Sequence, residues 1–187
     1  NRFNLHKNED TQISYFTVFA EIVFLALTVP ISENYLDKIC QILIDNISSP
    51  ILPIRYFCLD YLATFIRFFP QLGSIHNFSL QPLYEMMVSQ DSELNVLCIQ
   101  LLYIIANKEN GLDILTEFLN FIPKAPLNIR NLLFQKSSLL ALSFSIDEKW
   151  CIDTLIKLIC EYNIEVETDF SRYVVLYVSG NQERQAY

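Results

Sequence analysis

A chain of 187 residues is long enough to bury a full-sized core. It is 52 % hydrophobic with only three glycines, too few turn residues for a sandwich or barrel and the right balance for a helical protein. The formal net charge of −8 argues against a nucleic-acid partner, because phosphate contacts need clustered Lys and Arg.

In chain order, Tyr15 to Ile31 is the most apolar run. It is short for a membrane span, carries Glu21 in its middle and meets Pro30 near its end, so it reads as a buried helix of a helical repeat. No basic stretch precedes it of the kind that opens a signal peptide. Ser32 can cap the next helix, Glu33 to Ile47, on which Leu36, Ile39, Leu43 and Ile47 share one stripe. Ser48-Ser49-Pro50 and Pro53 break the chain before a wide apolar face made of Ile54, Phe57, Cys58, Tyr61, Leu62, Phe65, Ile66 and Phe69. Pro70 ends that helix. A loop from Gln71 to Ser79 holds Gly73 and His76, and Leu80 to Val88 is a short helix with Pro82 in its first turn.

Asp91 or Ser92 caps the helix that runs to Ala106, with Leu94, Leu97, Cys98, Leu101, Leu102 and Ile105 on its main face. Val96, Ile99, Tyr103 and Ile104 make it apolar nearly all round. After a turn at Asn107 to Gly111, Leu112 to Ile122 aligns Leu115, Phe118, Leu119 and Ile122. Pro123 and Pro126 force a break. Leu127 to Phe144 and a helix capped by Asp147 then form an antiparallel pair; the second carries Trp150, Ile152, Leu155, Ile156 and Ile159. Asn163 to Glu167 is a polar joint. Thr168 to Val178 is rich in β-formers, but the all-helical setting makes it a helix, closed by Gly180.

Three helix starts superpose. Ile54-Arg55-Tyr56-Phe57-Cys58-Leu59 aligns with Leu94-Asn95-Val96-Leu97-Cys98-Ile99 at an offset of 94 − 54 = 40, and with Ile129-Arg130-Asn131-Leu132-Leu133-Phe134 at a further 129 − 94 = 35. A helix-pair repeat of this length predicts an all-α, α–α superhelix, a HEAT/armadillo-like solenoid of antiparallel helix pairs. The alternative is a globular bundle whose periodicity is accidental. The chain begins at Asn1 and ends at Tyr187 within a helical pattern, and is read as a piece of a longer protein.

The chemistry-bearing residues are few. Cys40, Cys58, Cys98, Cys151 and Cys160 include no C-x-x-C pair and read as reduced core residues of a reducing compartment. The sequons at Asn46 and Asn77 read as unused. With only His6 and His76 there is little material for a triad or zinc site, and no phosphate loop or nucleophile motif occurs. Asp147, Glu148 and Asp153 read as charges that favour a helix N-terminus, and Lys149 and Lys157 as surface residues. The expectation is a non-enzyme without cofactor or metal.

Leu127 to Ile159 resembles the N-terminal trunk of the large adaptins, the solenoid subunits of clathrin adaptor complexes. The resemblance is carried by Ile129-Arg130, Lys136, Ala141, Phe144, Asp147, Trp150, Ile152-Asp153-Thr154 and Leu158-Ile159. Cys98 to Ile122 is similar to the preceding adaptin helix pair through Leu101-Leu102-Tyr103, Asn110, Ile114, Glu117 and Leu119, and Arg55-Tyr56 to an earlier helix start. The α class lies nearest, then γ and ε. Leu142-Ser143 stands where the family carries Glu-Lys, and no lysine cluster matches its phosphoinositide site.

The resemblance implies that residues 1–187 are part of an adaptin trunk cut at both ends, whose terminal hairpins expose apolar faces. One such face is Tyr15, Phe16, Phe19, Ile22, Val23 and Ala26. It further implies a scaffold subunit for vesicle-mediated transport, and within that endocytosis. The implied partners are a second large chain, medium and small chains, the clathrin coat and cargo. The implied location is cytoplasmic, peripheral on coated pits, vesicles or Golgi–endosomal membranes, through regions outside this chain. A different HEAT or armadillo scaffold, such as a transport receptor or phosphatase scaffold, is the alternative. Trp150 is expected to pack between adjacent hairpins.

Overall fold

Apolar residues at helical spacing, punctuated by proline, fold into α-helices, eight of which the structure describes. The computed structural model describes residues 2–72, 78–144, 147–161, 175–176 and 179–180, and no strand occurs among them. The helices are α1 (Arg2–Thr28), α2 (Glu33–Asn46), α3 (Leu52–Phe68), α4 (Gln81–Met87), α5 (Ser92–Ile105), α6 (Gly111–Phe121), α7 (Leu127–Phe144) and α8 (Glu148–Glu161), with a 3-10 turn at Ile122–Lys124. The fold is all-α, and the main helix contacts join near neighbours in sequence, the packing mode of an α-solenoid. The helix expected over 168–178 lies outside the described residues except at Val175 and Leu176, both helical and exposed. The Gly180 N–H donates to the Leu176 carbonyl at 3.0 Å.

The chain divides into two compact units. One comprises Asn1–Met87 with Gln100–Ile105, the other Val88–Ile99 with Ala106–Tyr187. In the first, α3 is the common support, since α1 and α2 both pack against it. Pro53 sits in the first turn of α3, where its missing N–H costs no helical hydrogen bond. Helix α2 packs on α3, and Leu36, Cys40 and Leu43 of α2 and Ile54, Cys58, Leu59, Leu62 and Phe65 of α3 are all buried. Phe16 and Phe19 of α1 set their rings edge-on to Phe57, with centroids 6.2 and 6.4 Å away, and Phe57 lies 4.3 Å from Tyr61. Such aromatic contacts add directional attraction to the burial itself.

Helix α1 departs from expectation. It was expected to be buried, yet among its described side chains only Val23 and Ala26 are buried. Residues Glu9–Thr28 are long and apolar enough, by length and composition alone, to cross a membrane. The physical reason for the exposure is that α1 has one main neighbour, α3. The apolar face assigned to Tyr15, Phe16, Phe19, Ile22, Val23 and Ala26 is covered only in part. Val23 and Ala26 are buried, Phe16 and Phe19 are half-buried, and only Tyr15 and Ile22 are exposed.

In the second unit α6 packs on α7 and α7 on α8, with the 3-10 turn against both α6 and α7. Asp91 caps α5 as expected, its side chain accepting from the N–H groups of Glu93 and Leu94 at 3.1 Å each. Ser32 stands at the cap position of α2 but makes no side-chain cap bond; its carbonyl instead accepts from Tyr35 and Leu36. Ile156, grouped with the apolar residues of α8, is exposed, while Thr154 is buried, its hydroxyl donating to the Trp150 carbonyl at 2.8 Å. On α5, Ile99 is fully buried and Leu97 only half-buried, the reverse of the periodicity reading.

Gly111, buried at the start of α6, lies against the ring of Phe144 at the end of α7. A Cβ there would stand 2.5 Å from Cδ2 and 2.7 Å from Cγ of that ring. Gly111→Ala is expected to push the ring aside at a cost of about 1–2 kcal/mol, toward the low end of overpacking because Phe144 is only half-buried. Thermal unfolding checks this, and the double variant Gly111→Ala/Phe144→Leu should recover part of the loss.

Candidate interaction surfaces

The superposed helix starts share a bond as well as a pattern. At the second aligned position, Arg55 donates from Nε and Nη2 to the Ser49 carbonyl, at 3.0 and 2.7 Å. Its counterpart Asn95 donates from Nδ2 to the Ser89 carbonyl at 3.1 Å, again six residues upstream. The Ser89 hydroxyl returns a bond to Asn95 Oδ1 at 3.0 Å. Arg130 donates from Nε to the Ala125 carbonyl at 2.8 Å and from Nη2 to the Pro123 carbonyl at 3.2 Å. Each side chain thus ties the first turn of its helix back to the loop before it. Carbonyls in such bends have no ladder partner, so a side-chain donor satisfies them. Sequence reasoning overlooked Asn95, which is 1 % exposed. Its alignment with two arginines was the available signal.

Asp147 caps α8 as expected: its Oδ1 accepts from the Trp150 N–H at 2.6 Å. That bond joins two of the positions singled out in the sequence. Trp150 itself is half-buried in the first turn of α8, not packed in the core between hairpins. A residue so close to a helix start has fewer neighbours around it than one in mid-helix. Leu101, Leu102 and Ile129 are fully buried. Tyr56, Tyr103 and Lys136 are half-buried, and Asp153 is exposed.

Among the described residues no group of His, Cys, Asp and Glu has the geometry to hold a metal ion. An open apolar groove of about 240 Å³ lies between α1 and α3, lined by Ile13, Phe16, Thr17, Ala20, Pro53, Ile54 and Phe57. Its volume is below that of an ordinary small-molecule pocket, and it offers a single hydroxyl as a polar group. It suits an apolar side chain better than a substrate.

The five cysteines are thiols, four buried and Cys160 exposed. Burial pushes the Cys58 thiol up to about 12 from its ordinary 9. The unfolded chain releases that proton first, so this contribution to stability is complete below about pH 9 and is lost as pH rises toward 12. At pH 8 a thiol reagent such as dithionitrobenzoate is expected to titrate one group rapidly in the native protein and five in denaturant. Rapid reaction of two or more native thiols would show that the helix cores open freely. The Asn46 sequon sits at the end of α2, with Nδ2 donating to the Ile42 carbonyl at 2.8 Å. Asn77 and His76 lie outside the described residues.

No family model matches the chain. Sequence similarity nevertheless runs nearly end to end. Over 185 residues, 98 % of this chain, it is 24 % identical to AP-2 complex subunit alpha-1 of Arabidopsis thaliana, covering 18 % of that protein. Over 170 residues it is 22 % identical to AP-2 complex subunit alpha of Schizosaccharomyces pombe, covering 91 % of this chain and 19 % of that protein. Over 134 residues it is 22 % identical to AP-1 complex subunit gamma-1 of Arabidopsis thaliana, covering 72 % of this chain and 15 % of that protein. The chain spans less than a fifth of the length of these curated relatives. The similarity supports the adaptin resemblance at the level of the family, and it is divided between the alpha and gamma classes.

Proposed function

We propose that this chain is a stretch of the helical trunk of a large adaptin, acting as a scaffold within a clathrin-associated adaptor complex in vesicle-mediated transport. The observation that supports this best is the reach of the similarity. It extends over 72–98 % of the chain and meets alpha and gamma subunits alike, in a protein whose described helices pack mainly on near neighbours in sequence. Such a role has no chemical step. Its work is to present side chains on helix faces to a second large chain and to medium and small chains, and through them to cargo and coat. Within the proposal, the endocytic α class is the first choice and the γ class the second. The location is the cytoplasmic surface of coated membranes. Arg55, Tyr56, Leu101, Leu102, Tyr103, Ile129, Arg130, Lys136, Asp147, Trp150 and Asp153 are proposed as structural positions of the trunk shared with the family.

Affinity purification of the tagged protein from its own cells, with identification of the bound chains, tests this. Recovery of a second large chain with medium and small chains in equal amounts is expected. Recovery of a phosphatase catalytic subunit, or of transport-receptor cargo, in their place would favour a different helical-repeat scaffold.

A further inference from the structure

Of the three glycines in the sequence, only Gly111 follows an asparagine. An Asn-Gly pair carries its own reaction. The glycine amide nitrogen attacks the Cγ carbonyl of the preceding side chain, unhindered because glycine has no Cβ. A C–N bond forms, the side-chain amide C–N bond breaks, and ammonia leaves with the proton shed by the attacking nitrogen. The product is a cyclic succinimide. Water then adds to one of its two carbonyls and opens the ring. The outcome is aspartate or isoaspartate, and in isoaspartate the main chain runs through the former side chain and is longer by one methylene.

The turn before α6 holds both partners of this reaction apart. Ring closure needs the Gly111 nitrogen to eclipse Asn110 Cβ about the Cα–C bond. At the observed ψ of −10° it lies near the backbone nitrogen of Asn110 instead. The Gly111 N–H donates to the Asn107 carbonyl at 2.8 Å, so the nucleophile keeps its proton in a bond. Asn110 Oδ1 accepts from the Asn107 N–H at 2.7 Å, which turns the side chain back along the loop. Asn107 Oδ1 accepts from the N–H groups of Glu109 and Asn110 at 2.8 and 3.2 Å, the bonding of an Asx turn. These restraints are local. Asn107, Lys108 and Glu109 are exposed and Asn110 is half-buried, so the turn can open while the helices stay packed, at a smaller cost than unfolding the unit.

We infer that Asn110 is a site of spontaneous deamidation gated by opening of this turn, and that its isoaspartate product loosens the joint of α6 with α7. The rate is that of an unconstrained Asn-Gly pair scaled by the fraction of time the turn is open. The added methylene falls directly before Gly111, which sits so close to the Phe144 ring that a Cβ would stand 2.5 Å from it. The turn that closes over Asn110 therefore does not close in the same way over the product. Water is the one co-reactant, and the inference is independent of the adaptor reading.

The test incubates the tagged protein, purified from its own cells, at mildly alkaline pH. Peptide mapping by mass spectrometry reads the replacement of NH by O at Asn110, and chromatography resolves isoaspartate from aspartate. Deamidation is expected to be at least about tenfold slower in the folded protein than in guanidinium chloride, and Asn107→Ala, which deletes the Asx acceptor, is expected to speed the folded reaction at least about threefold. Asn95→Ala, in the same compact unit but distant in sequence from the turn, should leave the rate near that of wild type. Amides at the start of α6 should exchange hydrogen faster in the isoaspartate form than in its parent. Equal rates in the folded and denatured protein, or no acceleration by Asn107→Ala, would overturn the gate. So would an acceleration by Asn95→Ala that matches Asn107→Ala, because the reaction would then run through unfolding of the unit. Unchanged exchange in the isoaspartate form would overturn the loosening of the joint.

Discussion

Phe118→Ala is expected to destabilise the second unit by about 3–5 kcal/mol, whereas Trp150→Ala, in the same unit, should cost about 1–2 kcal/mol. Phe118 is fully buried on α6, the helix that packs on α7. Removing its ring forfeits the transfer free energy of the aromatic and leaves a cavity that two packed helices can only partly close. Trp150 is half-buried in the first turn of α8, and its backbone N–H, which donates to the capping carboxylate of Asp147, survives the substitution. Urea unfolding followed at 222 nm measures both. The single tryptophan reports separately on the second unit in the Phe118 variant. A loss above about 3 kcal/mol for Trp150→Ala would place the indole in the core, as the sequence alone suggested. A loss below about 1 kcal/mol for Phe118→Ala would show that the α6 face is not the packed one.

That contrast shows what a sequence reveals here and what it withholds. Helix extents were legible, because proline and caps are local signals. Pro53 and Pro126 stand at the observed starts of α3 and α7, and the bonds accepted by Asp91 and Asp147 lie where the residue types implied. Burial was less legible, because it depends on which elements meet. Ile156 fits the apolar spacing of α8 yet faces out, and α1, which holds most of the apolar run Tyr15 to Ile31, leaves much of its apolar surface exposed because α3 is its one main neighbour. Periodicity reports that a face exists; it does not report what covers it. At the ties between helix starts and loops the limit was of another kind. The repeat alignment set Asn95 beside Arg55 and Arg130, but a short amide and two long guanidinium groups look unlike until the loop carbonyls they share are seen.

Those loop ties give the second large effect. Arg130→Ala removes two hydrogen bonds from a charged donor to the carbonyls of Ala125 and Pro123, and is expected to cost about 1.5–3 kcal/mol. Arg130→Lys keeps the charge but not the planar fork that reaches both carbonyls, so it should restore less than half of the loss. If Lys restored nearly all of it, charge near the turn would be the cause and the two directed bonds would not. Asn95 poses the sharper case because it both donates to the Ser89 carbonyl and accepts from the Ser89 hydroxyl. Asn95→Ala leaves both groups unpaired, at about 1–3 kcal/mol. Asn95→Asp keeps the acceptor, replaces the donor with an oxygen that repels the carbonyl, and introduces a carboxylate at a position 1 % exposed. The Asp variant is therefore expected to be less stable than the Ala variant at pH 7 and to regain stability as the pH falls and the buried carboxyl takes up a proton. Unfolding of both variants at pH 5 and pH 7 measures the difference. An Asp variant as stable as wild type at pH 7 would mean that the Ser89 carbonyl has no need of the Asn95 amide, and that the tie between helix and loop is incidental to the repeat.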